Sequence, residues 1–144
     1  MRPTLWVGCR CHADRDRGPV ARDTITVERE NGDVLCGRCL LADTPWTRLR
    51  GLLGRRGLGE DEGLLSRPAG SVHTLFMRFP IDVVFLDRDN TVVKVVPGLR
   101  PWRLAAARKA RRTLELPAGR AARARLAPGQ GLVLVPGRAR EEAA

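Results

Sequence analysis

Chemistry-bearing residues concentrate in one stretch, "HTLFMRFPIDVVFLD", His73 to Asp87, which holds His73, Met77, Arg78 and Asp82. If it ran as a regular strand, His73 and Met77, four apart, would share a face. A His/Met pair suits soft copper, but the other His and Met, His12 and Met1, are not placed to add ligands. Met77 therefore reads as a flexible core filler. His73 can exchange a proton near neutral pH, yet its neighbours Ser71 and Thr74 are weak nucleophile candidates. Asp82 sits in "IDVVFLD", apolar on both sides of a strand, and a carboxylate there needs a cation or several N–H donors. Arg48 and Arg55, on the helix expected upstream, are the cations expected to reach it, fixing that helix against the strand. Glu115 in "TLEL" is a second carboxylate in an apolar run. With Asp82 it could form an acid/base pair; pairing with an arginine, or with N–H groups near Gly119, is the favoured reading.

The four cysteines fall in two pairs, Cys9/Cys11 and Cys36/Cys39. Four thiolates could hold zinc. The second pair lies in a predicted strand, where residues three apart face opposite sides. Cys36 and Cys39 could share a metal only if Gly37 makes a bulge. A thioredoxin-like role for "CGRC" needs a helix N-terminus at the first cysteine. Ordinary buried thiols in a reducing compartment are the simpler expectation, and no resident metal or cofactor is expected.

The formal net charge is +10. Residues 98–125 carry nine basic residues and one acid, Glu115, so most of the excess lies there. That segment is either a solvated arginine face or a surface for an anionic partner. Trp102 is its one stacking residue, thin support for nucleic-acid binding.

Around these residues the chain punctuates itself into short elements. Residues 1–23 read as a flexible leader, with no apolar run long enough for a signal segment; residues 24–136 read as a single β-rich domain and 137–144 as a flexible tail. "TITVERE" alternates at period two, and Asn31-Gly32 joins it to "DVLCGRCLLA" as a hairpin, expected to turn through type I′. "DTPWTRLRGLLGR" changes to helical spacing, with Trp46, Leu49, Leu52 and Leu53 on one face. "GLLSRPAGSVHTLFM" predicts two strands about a turn, "IDVVFLD" and "TVVKVVP" two more, and "TLEL" and "GLVLVP" the last. "PAGRAARARLAPG" predicts a second short helix. The alternation of many short strands with little helix points to an antiparallel sandwich or barrel rather than a parallel α/β sheet. No apolar run reaches membrane-spanning length.

Three of these segments, in order, carry a resemblance: "RLRGLLGR" at Arg48–Arg55, "FMRFPIDVVFLD" at Phe76–Asp87 and "LELPAG" at Leu114–Gly119. Together they resemble the domain of unknown function 192 family, over about residues 33–135. The resemblance implies a compact, mainly β domain of jelly-roll-like or barrel-like form with short helices, and it implies no activity. Some relatives have Met where Leu53 stands. Many bear export signals; residues 1–23 do not read as one, and the expected compartment is the cytoplasm.

Three functional readings stay open. The first is a non-catalytic binding or accessory module for a small molecule or protein, with a pocket around His73, Met77, Arg78 and Asp82, closed by Arg48, Arg55 and Glu115. The second is a small acid/base enzyme using Asp82, Glu115 and His73. The third is an anion or nucleic-acid binder working through the 98–125 arginines.

Overall fold

A computed structural model describes residues 24–42, 52 and 55–136. Among the described residues nine strands and one short helix follow in order: β1 (Thr24–Arg29), β2 (Val34–Ala42), β3 (Glu62–Ser66), β4 (Ser71–His73), β5 (Ile81–Leu86), β6 (Val92–Leu99), β7 (Leu104–Ala106), β8 (Arg112–Pro117), α1 (Arg120–Arg123) and β9 (Leu132–Pro136). Seven strands make one sheet in the order β6-β5-β8-β3-β2-β1-β9, and β4 and β7 pair as a separate ribbon.

The sheet curls until its two edges meet. Thr91, just before β6, bridges Gly131, just before β9. Gly129 N–H donates to the Val92 carbonyl at 2.8 Å, and Leu132 N–H donates to the Asn90 carbonyl at 2.9 Å. The chain is mainly β, as its patterning predicts, but its form is one curled half-barrel sheet with a ribbon against it. Among the described residues all strand pairings are antiparallel except β2 with β3, which run parallel in register Arg38↔Glu62 to Ala42↔Ser66. A parallel pair needs a long crossover, here residues 43–61, where the period of the sequence changes. The first expected helix lies largely outside the described residues. Leu52 and Arg55 are described, and neither is in a helix.

The curl divides the core in two. The inner face collects Leu41, Leu65, Leu114, Val84 and Val95 across one row of the sheet. Leu35, Leu116 and Leu132 extend it, and Ala124 at the end of α1 packs against it. The outer face carries Leu64 and Val83, covered by Leu52, Leu58, Met77 and Phe79 and by Val72 and Ala105 of the ribbon. β5 is buried along its whole length, because both faces of the strand are covered. That is why its sequence is apolar without alternation.

The hairpin forms at Asn31-Gly32, though by a different turn. Gly32 has φ +90, and Asn31 is not among the positive-φ residues. Arg29 N–H donates to Asp33 O at 2.8 Å, and Gly32 N–H donates to Arg29 O at 2.9 Å. A three-residue loop with one left-handed position therefore replaces the expected type I′ turn.

Candidate functional site

The strand expected to run from His73 through Met77 stops at His73. Met77 N–H donates to the Thr74 carbonyl at 3.2 Å, folding residues 74–77 into a turn. His73 and Met77 therefore part company: His73 is exposed on the ribbon opposite Leu104, and Met77 is buried in the outer core. Arg78 is exposed.

Asp82 is fully buried, and its donors are backbone N–H groups. Oδ1 accepts from Gly98 at 2.8 Å and Oδ2 accepts from Ala121 at 2.9 Å. The carboxylate thus ties β5 to the end of β6 and to α1. Among the described residues it is N–H groups and not a cation that reach Asp82, and the helix they tie in is the second expected one. Arg55 turns to Glu62 Oε2 at 3.3 Å instead of Asp82. Arg48 lies outside the described residues.

Glu115 is buried on the opposite face. In the β5–β8 ladder Asp82 pairs with Leu116, while Val83 pairs with Glu115. Paired residues share a side of a sheet, so the Asp82 and Glu115 carboxylates point to opposite sides. In this register Asp82 and Glu115 do not meet as a carboxylate pair, and Met77 packs on the face opposite Asp82. Among the described residues no hydrogen bond reaches the Glu115 carboxyl, and burial pushes its pKa from 4.5 to about 7.

The structure brings together a different set. Thr74, fully buried, donates its hydroxyl to the Arg100 carbonyl at 2.6 Å and accepts from Arg103 N–H at 2.9 Å. Its backbone N–H donates to the Arg103 carbonyl, and its carbonyl accepts from Trp102 N–H, both at 2.9 Å. These bonds lock the 74–77 turn against the 100–103 loop. Two aromatic rings stand on that junction, Phe76 and Trp102, with centroids 4.7 Å apart and planes tilted by 59°. They are 69% and 55% exposed, and Leu104 nearby in sequence is 76% exposed. Phe76 has φ 64 and Trp102 φ 62, a backbone region rare for bulky side chains and found where surrounding structure enforces it. Exposed Arg78, Arg100 and Arg103 flank the pair in sequence. The sequence offered Trp102 as a stacking residue. Phe76 falls inside a predicted strand, so nothing in the sequence marks it as exposed.

The Cys36/Cys39 expectation turns on the bulge, which is present. On β1 the partners of Cys39 and Cys36 are Ile25 and Val27, so three residues of β2 span two of β1. Both thiols consequently face the inner core and are fully buried. Cys9 and Cys11 lie outside the described residues. Among the described residues no group of three or more His, Cys, Asp and Glu is placed to hold a metal ion, and no helix is long and apolar enough to cross a membrane.

This architecture, a mainly β curled half-barrel with an exposed aromatic pair at a loop junction, is accompanied by a family match. The sequence fits the family model of DUF192, described as "Uncharacterized ACR", over residues 26–134, and the chain belongs to that family. A UPF0127 protein of Thermococcus sibiricus is 35% identical over 81 residues, 54% of this chain and 52% of that relative. A UPF0127 protein of Pyrococcus abyssi is 46% identical over 50 residues, 34% of this chain and 42% of that relative. The chain spans about half the length of the curated relatives it matches. Among solved structures, a proposed transcription regulator of Sinorhizobium meliloti 1021 shares the fold with a TM-score of 0.71, at 23% identity, over 82% of this chain and 97% of that one. A protein of unknown function from Novosphingobium aromaticivorans DSM 12444 gives 0.66 at 26% identity, over 76% and 83%.

Proposed function

We propose that this chain is a non-catalytic binding module that docks an acidic segment of a partner protein on the Phe76–Trp102 junction. The observation that carries this reading is the exposed aromatic pair, held at positive φ by the Thr74 hydrogen bonds. Exposed Trp and Phe beside Arg are the side chains that dominate protein interfaces, because large rigid rings bury much area at low entropic cost. Leu104 widens the apolar centre, and Arg78, Arg100 and Arg103 supply a cationic rim. A charged rim accelerates encounter with an acidic partner and weakens with salt. The separation of Asp82, Glu115 and His73 favours binding over acid/base chemistry.

Panning a displayed random-peptide library tests the proposal. Enrichment of peptides that combine Asp or Glu with Leu or an aromatic residue is expected, with binding lost in Trp102→Ala and reduced by added salt. Two outcomes would overturn it: no enriched class, or a single-stranded DNA oligonucleotide binding through Trp102 while the acidic peptides do not.

A further inference from the structure

We propose that Cys36 and Cys39 form a peroxide-reactive dithiol, in which Cys36 is oxidised first and Cys39 resolves it to an intramolecular disulfide. The site is built by the strand bulge. A regular strand would point these residues apart, whereas the extra residue in β2 turns both sulfurs to one side. Neighbouring glycines leave the necessary room. A Cβ on Gly63 would lie 2.9 Å from the Cys36 sulfur, and one on Gly37 would lie 2.6 Å from the Asp61 carboxylate. That carboxylate accepts the Gly37 N–H at 2.8 Å, holding the bulge in place.

The two thiols are not equivalent. Cys39 Sγ donates to the Leu40 carbonyl at 3.9 Å. The neighbouring Cys39 thiol, the Arg38 N–H and the Arg120 charge draw the Cys36 pKa down, against the opposing effects of burial and the Asp61 charge. The neighbouring Cys36 and burial push the Cys39 pKa up, so it keeps its proton. Arg120 is fixed nearby through its guanidinium, which donates to the Leu35 and Val34 carbonyls. The Cys36 thiol donates to the Asp61 carbonyl at 3.5 Å, and residues 59–61 are exposed. The sulfur, itself buried, therefore lies directly beneath a surface loop.

The chemistry balances with a hydroperoxide as oxidant. The Cys36 thiolate attacks the terminal peroxide oxygen; an S–O bond forms, the O–O bond breaks, and the departing alkoxide takes a proton to become an alcohol. The Cys39 sulfur then attacks the Cys36 sulfenic acid. An S–S bond forms, the S–O bond breaks, and hydroxide leaves with the Cys39 proton as water. Two electrons pass from the thiols to the peroxide.

Arg38 gives the test a clean readout, because trypsin cuts between the two cysteines. The intact chain is treated with hydrogen peroxide, its remaining thiols are blocked with iodoacetamide, and it is digested without reductant. The peptides ending at Arg38 and beginning at Cys39 should be recovered joined, with loss of both separately alkylated forms. In Cys39→Ser, dimedone should label Cys36; in Cys36→Ser, Cys39 should stay unlabelled. Separate alkylated peptides after peroxide, linkage of Cys36 to Cys9 or Cys11 instead, or equal dimedone labelling of Cys39 would overturn the proposal. The digest of the unmodified chain decides the matter even if a serine variant does not fold.

Discussion

The inner and outer faces of the curled sheet each bury a carboxylate, and the described residues meet the two differently. Asp82 on the inner face receives two backbone N–H groups; Glu115 on the outer face receives none from the described residues. The two lie on adjacent strands, offset by one position in the ladder. The donors that reach Asp82 thus come from chain segments that end beneath it. Asp82 meets the ends of β6 and α1, where free N–H groups are available. Glu115 meets Leu64 and Val83, whose backbone groups face along the ladder.

The contrast is sharpest at Asp82. Asp82→Asn replaces one acceptor with an N–H donor facing another donor, and should cost about 3 kcal/mol of stability. Denaturant melts at neutral pH measure it, and an unchanged midpoint would remove the distinction between the faces. Glu115 should respond with the other sign. Its folded pKa of about 7 lies above the unfolded 4.5, so the folded chain holds the proton more tightly. Stability is fullest below about pH 4.5 and falls as pH rises through 7. Glu115→Gln should flatten that decline and leave the variant about 2 kcal/mol the more stable at pH 8; parallel pH profiles for the two proteins would refute it.

A smaller effect tests how tightly the inner face is filled. Gly63→Ala pushes a methyl against the Cys36 sulfur and the Glu115 carbonyl, both 2.9 Å away, and should cost about 1.5 kcal/mol by thermal melting. Least affected should be the exposed junction. Trp102→Ala should change stability by under about 1 kcal/mol, and Trp102→Gly by less than Trp102→Ala, since glycine accepts φ 62. A large loss in either would make the aromatic pair part of the core and not a docking surface.

The strands were legible because their signals are local: period-two runs, Asn-Gly, and the unbroken apolar face of β5. The parallel β2–β3 pair was not, since nothing in either strand records its partner's direction. Asp82 was recognised as needing partners, but its donors come from Gly98 and Ala121, whose side chains carry no sign of the role. His73 and Met77 were joined by a strand that the turn at Thr74 ends. The Phe76–Trp102 pair spans 26 positions and depends on φ values that neither residue type predicts. For the cysteines the condition could be stated from spacing, but only the β1 register shows that the bulge exists.

The meeting of β6 and β9 at Thr91 and Gly131 also bears on self-association. A sheet left open along both margins offers rows of unpaired backbone groups on which further chains can stack into fibrils. Here one end of each margin is occupied by the other, and Pro97 in β6 and Pro136 in β9 lack the N–H that an incoming strand would need. The fold thereby limits polymerisation through its own margins and leaves recognition to the side chains of its loops.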